Sequence, residues 1–357
     1  MATYPRKWHF FYQFRHVIFS LRVESFYPLT AEAGRSVYPM TVNSAMPVPN
    51  HNRKMSFWKT ARKHKILLLM LLPAVIYVLV FHYWPMTGIV MAFKKYRFAG
   101  GIYGSPWCGL DNFKFLMIGG QLWTVTRNTM LYNLAFIFLG VVFEMGSAIL
   151  LNELLSKRFK KFAQTCMFLP YFISWVVVGA IMYNIFNFER GIANNMIRSL
   201  GGKAFDLYNS PSSWPPVLIL LKLWKATGYG SVVYLAAITG LDQEMFEAAT
   251  IDGASAWQRI RYITIPSLIP TMMVLVLLAI GNIFRGDFGL FYQTVKTSAL
   301  LQPTTDVIDT YVFRLLMTNG DYGMSAAAGL YQSVLCFVTI TLCNLLVKKL
   351  QPEYALY

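Results

Sequence analysis

Charge is what this sequence has least of. Charged residues make up 13% of the 357-residue chain, against about 25% in an ordinary soluble domain. Acids are scarcer still, with 16 Asp and Glu against 32 Lys and Arg, and the 5 histidines are scattered. No H-E-x-x-H and no G-x-S-x-G occurs, which removes the usual zinc-hydrolase and serine-hydrolase signatures. No G-x-x-x-x-G-K-[ST] loop occurs, so the chain does not bind ATP by a Walker motif. The 4 cysteines, Cys108, Cys166, Cys336 and Cys343, form no C-x-x-C pair, which argues against zinc or dithiol redox chemistry. Three of them lie in apolar runs, where a thiol behaves as a small hydrophobe. No cleavable signal peptide is expected, because the apolar segments are too long and too numerous for one.

What the sequence has instead is apolar length. Hydrophobic residues make up 56% of the chain and the mean hydropathy is +0.44. One water-soluble core cannot hide so much apolar surface, so lipid must cover much of it. Six nearly uncharged runs are expected to cross a bilayer: residues 66–93, 128–151, 162–188, 214–240, 263–284 and 322–347. Each must be helical, because hydrocarbon offers the backbone no hydrogen-bond partner. The fold class expected is therefore an all-α integral membrane protein. Pro73, Pro85 and Pro170 fall in or near these runs and are expected to kink them.

The net charge of +16 is unevenly placed. Residues 1–65 carry eleven Lys and Arg against two acids, Glu24 and Glu32. The segment before the first run, the stretch with Lys157, Arg158, Lys160 and Lys161, and the flank at Lys348 and Lys349 alternate consistently as one side. Because cytoplasmic loops collect Lys and Arg, both termini are expected in the cytoplasm. Lys94, Lys95 and Arg97 dissent on the opposite side. This distribution reads as topology rather than as a nucleic-acid surface. Two domains are expected, a cytoplasmic extension over 1–55 that is partly disordered and a membrane domain over 56–357. Trp8 to Tyr27 could alternatively lie on the membrane surface, and Met55 could be the natural start.

The cytoplasmic loop over 241–266 differs from the others. Asp242 can cap a short helix, Gly253 can end it with a positive φ, and Ser255 with Gln258 forms an S-x-x-Q capping box that starts another. Pro266 marks re-entry into the membrane. A compact helical elbow of this kind suits docking into a groove of another protein. An ordinary structured loop is the other reading.

The spacing Glu247-Ala248-Ala249-x3-Gly253-x9-Ile263-x-Ile265-Pro266 resembles the EAA signature of bacterial ABC-importer permeases, with Ile265 where Leu is usual. Over roughly residues 60–357 the chain is similar to the LplB-type branch of the carbohydrate-uptake group. Gly104 to Phe113, Asp287 to Gln293, Thr305 to Tyr311 and Ala326 to Ser333 carry that similarity. The resemblance implies a six-helix type I permease core and an elbow that acts as the coupling helix. Glu247, Ala248, Ala249, Asp252, Gly253, Ala254, Ser255 and Pro266 would form that coupling surface. It further implies a second permease subunit in a heterodimer, two ATPase subunits carrying ATP and Mg, and an extracytoplasmic solute-binding protein. The chain itself would bind no cofactor, hold no metal and be no enzyme, and would sit in the bacterial cytoplasmic membrane.

Ionisable residues inside a span tend to face a pathway or a partner. By i, i+3, i+7 spacing, Lys222, Lys225 and Tyr229 share one helix face. Glu144 in the second run is placed to neutralise one of the lysines, or the lysines could simply snorkel to the interface. By a more distant resemblance to maltose-importer permeases, Lys222, Lys225, Ala226 and Tyr229 match a sugar-contact stretch, and Asn282, Arg285 and Asp287 fall near another. Cations in a dry channel favour an anionic ligand. The expected substrate is therefore an acidic uronate saccharide such as alginate or a pectin fragment. A neutral oligosaccharide is the alternative, and a membrane-embedded transferase is the alternative from another class. An ion channel would need no docking elbow. Asp306 and Asp309, the close acidic pair of an outer loop, are expected to brace the short helix before the sixth span.

Overall fold

The computed structural model describes residues 64–296 and 298–350. The chain divides into two units, 1–70 and 71–357. The expectations for residues 1–55 lie outside the described residues. Of the first unit, the described part is the opening of a helix that starts at Lys65.

Apart from single turns, the described chain forms twelve helices. The first is α1 (Lys65–Phe93), followed by the short α2 (Asp111–Ile118) and the long α3 (Gln121–Glu153). Then come α4 (Lys157–Phe172), α5 (Trp175–Phe186), α6 (Ile192–Ser199) and α7 (Trp214–Thr239). The elbow helix is α8 (Gln243–Ile251), and α9 (Ala256–Ile280) re-enters the apolar layer. The series ends with α10 (Phe288–Val295), α11 (Ile308–Met317) and α12 (Tyr322–Leu350). Among the described residues the only β contact is an isolated bridge between Lys94 and Trp107.

Four of these helices, α1, α3, α9 and α12, are long and apolar enough to cross a membrane. The run expected to be one span over 162–188 forms two helices, α4 and α5, bent by 92°, which together are long and apolar enough for one broken span. Pro170 lies two residues from the end of α4, and Ser174 caps α5 by accepting from the N–H of Val177. Helix α7 has 26 residues, about 39 Å at 1.5 Å each, so length suffices. Lys222 and Lys225 hold down its apolarity, and it does not join the four on composition.

Two of the long helices carry the same local defect. In α1 a wide turn at Leu79–Tyr83 ends two residues before Pro85, and in α9 a wide turn at Ile260–Thr264 ends two residues before Pro266. In each the backbone bonds i to i−5, Trp84 N–H to Leu79 and Ile265 N–H to Ile260. A proline ring displaces the carbonyl four residues back, and widening the turn by one residue accommodates it.

Helix α7 is the centre of the packing. It lies along α3, α4 and α9. It meets α4 closely at Gly228, where an added Cβ would come 1.9 Å from the carbonyl oxygen of Met167. Small residues let membrane helices approach this closely. The N-terminal half of α3 is tied to the loop before α11: the Asn128 amide donates to the carbonyls of Pro303 and Asp306, and the Tyr132 hydroxyl to that of Thr304. Every residue from 71 to 87 in α1 is exposed. A continuous apolar face of that size is stable only against lipid or another protein.

Lys94 explains part of the dissenting outer charge. It is buried, donates to the Tyr103 carbonyl at 2.6 Å and lies 5.0 Å over the Trp107 ring. Its charge is used within the fold.

Candidate functional site

The elbow has the caps its sequence implies. Asp242 accepts from the N–H of Glu244 at 3.0 Å and starts α8. Gly253 has φ +80°, and the N–H of Ala254 returns to the carbonyl of Ala249 at 2.9 Å. This is the bonding of a left-handed helix terminus. Both arms of the Ser255–Gln258 capping box are made, at 2.7 and 3.3 Å. The guanidinium of Arg259 donates to the Thr250 hydroxyl at 2.8 Å and so ties α9 back to α8. The two helices of the elbow therefore hold a fixed angle.

Glu247, Ala248, Asp252, Gly253, Ser255 and Pro266 are exposed, while Ala249 and Ala254 are half-buried. Met245, Ile251, Trp257 and Tyr262 are exposed with them, Ile251 at 86%. Two hollows flank the elbow. One of about 580 Å³ runs along Glu247, Thr250 and Arg259, and one of about 320 Å³ along Asp252, Gly253 and Tyr262. A rigid turn carrying four exposed apolar side chains has the character of a docking knob.

A second feature lies between α3, α7 and α9. A cavity of about 280 Å³ is lined by Lys222, Asn282 and Arg285, together with Asn133, Glu144 and Tyr234. Lys222 donates to Asp287 Oδ2 at 2.8 Å and sits 5.9 Å over the Phe136 ring. Asp287 in turn caps α10 through the N–H of Leu290. The ion pair thus joins α7 to the turn that leaves α9.

That turn carries Arg285 and is braced from three sides. The Asn133 amide donates to the carbonyls of Ile283 and Arg285. The Gln332 amide donates to the Phe284 carbonyl and to Asp309 Oδ2. The N–H of Gly286 donates to the same Asp309 oxygen at 2.5 Å. Burial pushes the Asp309 carboxyl up, while the Gly286 N–H and the Gln332 amide push it down. Asp309 therefore braces the Arg285 turn, whereas Asp306 braces α11 through Arg314 at 2.5 Å and the Thr310 hydroxyl.

The structure does not bring all the sequence-selected polar residues to one place. Lys222, Asn282 and Arg285 meet at the cavity, and Asp287 stands behind Lys222. Lys225 and Tyr229 lie at the break between α4 and α5. There the ammonium of Lys225 donates to the carbonyls of Pro170, Tyr171 and Ile173 and packs 5.3 Å over the Trp175 ring. Tyr229 stacks on Tyr171 with centroids 4.5 Å apart. The cause is the 92° bend. It frees carbonyls at the end of α4 that need donors, and a cation at a helix C-terminus is also favoured by the helix dipole. Sequence spacing along one helix cannot show a break in another. It likewise missed Asn133, Gln332 and Tyr234, polar groups whose roles depend on long-range contacts.

Residues 137–352 match the family described as binding-protein-dependent transport system inner membrane component. The chain belongs to this family. It is accordingly a membrane component of a transport system and not an enzyme, which removes the transferase alternative. Protein LplB of Bacillus subtilis strain 168 is 33% identical over 307 residues, covering 86% of this chain and 96% of that protein. The polygalacturonan/rhamnogalacturonan transport system permease protein YteP of the same strain is 34% identical, covering 82% of this chain and 90% of that protein. The crystal structure of a bacterial ABC transporter involved in the import of the acidic polysaccharide alginate contains a chain similar in fold, with a TM-score of 0.74 and 32% identity. That match covers 82% of this chain and 99% of the other. The expected resemblance to LplB-type permeases and the all-helical permease fold are both borne out.

Proposed function

We propose that this chain is one of two permease subunits of a bacterial ABC importer for an acidic oligo- or polysaccharide built from uronate residues. The observation that carries the substrate class is the convergence of Lys222, Asn282 and Arg285 on one cavity within the apolar layer. Arg285 is exposed at the cavity and has no ion-pair partner among the described residues, and a guanidinium pairs well with a carboxylate. The names of the relatives agree, one a polygalacturonan transporter and one an alginate importer.

In this reading a second, different permease completes the pathway and two ATPase subunits, carrying ATP and Mg, engage the elbow from the cytoplasm. The chain itself binds no cofactor. A solute-binding protein delivers substrate from outside, as a periplasmic protein does in the complex of the alginate transporter. Both termini face the cytoplasm across the inner membrane. Nucleotide-driven closure of the ATPases moves the surface from Glu247 to Ser255, and α7 and α9 transmit that motion to the cavity between them. This is alternating access around a site in the membrane layer.

A neutral oligosaccharide is the second reading, and one observation favours it: Asp287 neutralises Lys222. Uptake of labelled trigalacturonate by cells carrying the full importer decides between them. Under the acidic reading excess maltotriose leaves uptake unchanged and Arg285→Gln abolishes it. Uptake of maltotriose with no uptake of trigalacturonate would contradict it.

A further inference from the structure

The cavity has two chemically different ends. Its cationic end is formed by Lys222 and Arg285. Its other end is formed by Glu144 of α3 and Tyr234 of α7. Glu144 is pressed against a notch in α7 at Gly230. A Cβ added there would lie 2.0 Å from the Glu144 carboxyl carbon and 2.3 and 2.4 Å from its oxygens. Tyr234 is four residues further along α7 and so lies on the same face, one turn toward the elbow. Gly230 is eight residues from Lys222, about 12 Å along the helix axis.

Among the described residues the Tyr234 hydroxyl has no hydrogen bond and Glu144 no ion pair. Tyr234 is fully buried. A buried hydroxyl left without a partner costs about 1–3 kcal/mol, so such a group is retained where something fills it. A hydroxyl donor and a carboxylate acceptor on one cavity wall form the complement of a saccharide hydroxyl, which can donate to the carboxylate and accept from the phenol. A carboxylate could accept from the Tyr234 hydroxyl alone, and an ionised Glu144 would repel it.

We propose that Glu144 and Tyr234, seated by the Gly230 notch, form a hydroxyl-binding subsite at the elbow end of the cavity. Each sugar unit leaving the cationic end is read there by its neutral hydroxyls. The inference rests on the pathway reading above, but not on the charge of the sugar. Hydroxyls are common to uronates and neutral saccharides, whereas the cationic end, chiefly through Arg285, favours the carboxylate. A substrate therefore meets a carboxylate-binding end and a hydroxyl-binding end in sequence. Neither end holds all of it, which lets it move on.

The test uses the whole importer, both permeases and the ATPases, in proteoliposomes with its binding protein. Mixed hydrolysates of pectin, alginate and starch are supplied, and the transported saccharides are read by mass spectrometry. Tyr234→Phe removes only the hydroxyl. It is expected to raise KM about tenfold for whichever saccharide is carried, as befits one lost hydrogen bond, with the thermal midpoint of the substrate-free protein not lowered. Glu144→Gln should act in the same direction, and the double variant should be no worse than the weaker single one, since both groups hold one hydroxyl. O-acetylated forms of the carried saccharide should be poor substrates for the wild type, and the variants should discriminate little between acetylated and free forms. An unchanged KM in Tyr234→Phe, or a change in thermal midpoint alone, would overturn the subsite. Carriage of starch fragments only would overturn the acidic reading while leaving the subsite standing. No carriage of any fragment by the wild type would overturn both.

Discussion

The ammonium of Lys222 lies 2.8 Å from Asp287 Oδ2, and 65 residues of chain separate them. One belongs to α7 and the other caps α10, so this contact fixes the turn carrying Arg285 against the helix at the centre of the packing. The side chains are 31% and 23% exposed, so water screens the pair only in part.

The pair yields a double-mutant cycle. Lys222→Met strands the Asp287 carboxylate, and Asp287→Asn strands the ammonium and weakens the α10 cap. Each should lower stability by about 1–3 kcal/mol, the range for leaving a sheltered polar group unmatched. The double variant should recover part of the loss. Thermal unfolding of the four proteins in one detergent reads the coupling, and strictly additive losses would mean the contact carries none.

Lys225 should behave differently from Lys222. Its ammonium holds three carbonyls at the bend between α4 and α5, so Lys225→Met leaves the carbonyls at the end of α4 without their donor. The variant is expected to melt at lower temperature and to take up less substrate, with the preference between trigalacturonate and maltotriose unchanged. A changed preference with unchanged melting would place Lys225 in the substrate pathway after all.

Gly228→Ala is a test of packing. The new methyl would meet the backbone of Met167 and Phe168 at 1.9 to 2.9 Å. Backbone has no rotamer to yield, so α4 and α7 must separate. Loss of assembled complex in membranes, read by co-purification with the ATPase, is the expected outcome, and normal yield would show that the two helices do not approach this closely.

At the elbow, Gly253 holds φ +80°, a conformation that costs an L-residue about 1–2 kcal/mol and that proline cannot adopt. Gly253→Pro and Glu247→Lys should both insert normally into the membrane. Both should separate ATP hydrolysis from uptake, with hydrolysis retained and accumulation lost. Equal loss of both activities would point to misfolding, and normal accumulation would contradict the elbow's role.

Much of the fold was legible because its causes are local. Long apolar runs mark α1, α3, α9 and α12, and the caps at Asp242, Gly253 and Ser255 are set by residues within a few positions of each other. The bend at Ile173 was not legible, because a single proline near a helix end does not fix an angle of 92°. That bend is why Lys225 and Tyr229 left the group to which their spacing assigned them. Lys222, Asn282 and Arg285 did converge, because Lys222 lies on α7 and the other two on the turn leaving α9, which packs against it. Asn133, Gln332 and Asp309 could not be read as braces of the Arg285 turn, since each acts over contacts far apart in sequence.

The most direct test of the account is whether the elbow meets the motor. Ile251 is 86% exposed at the end of α8, and an Ile251→Cys variant can be crosslinked in intact inner-membrane vesicles. The account predicts a crosslink to the ATPase subunit that strengthens or weakens with nucleotide, on the cytoplasmic face. A cysteine at that position labelled from the exterior, with no crosslink to any ATPase in any nucleotide state, would contradict it.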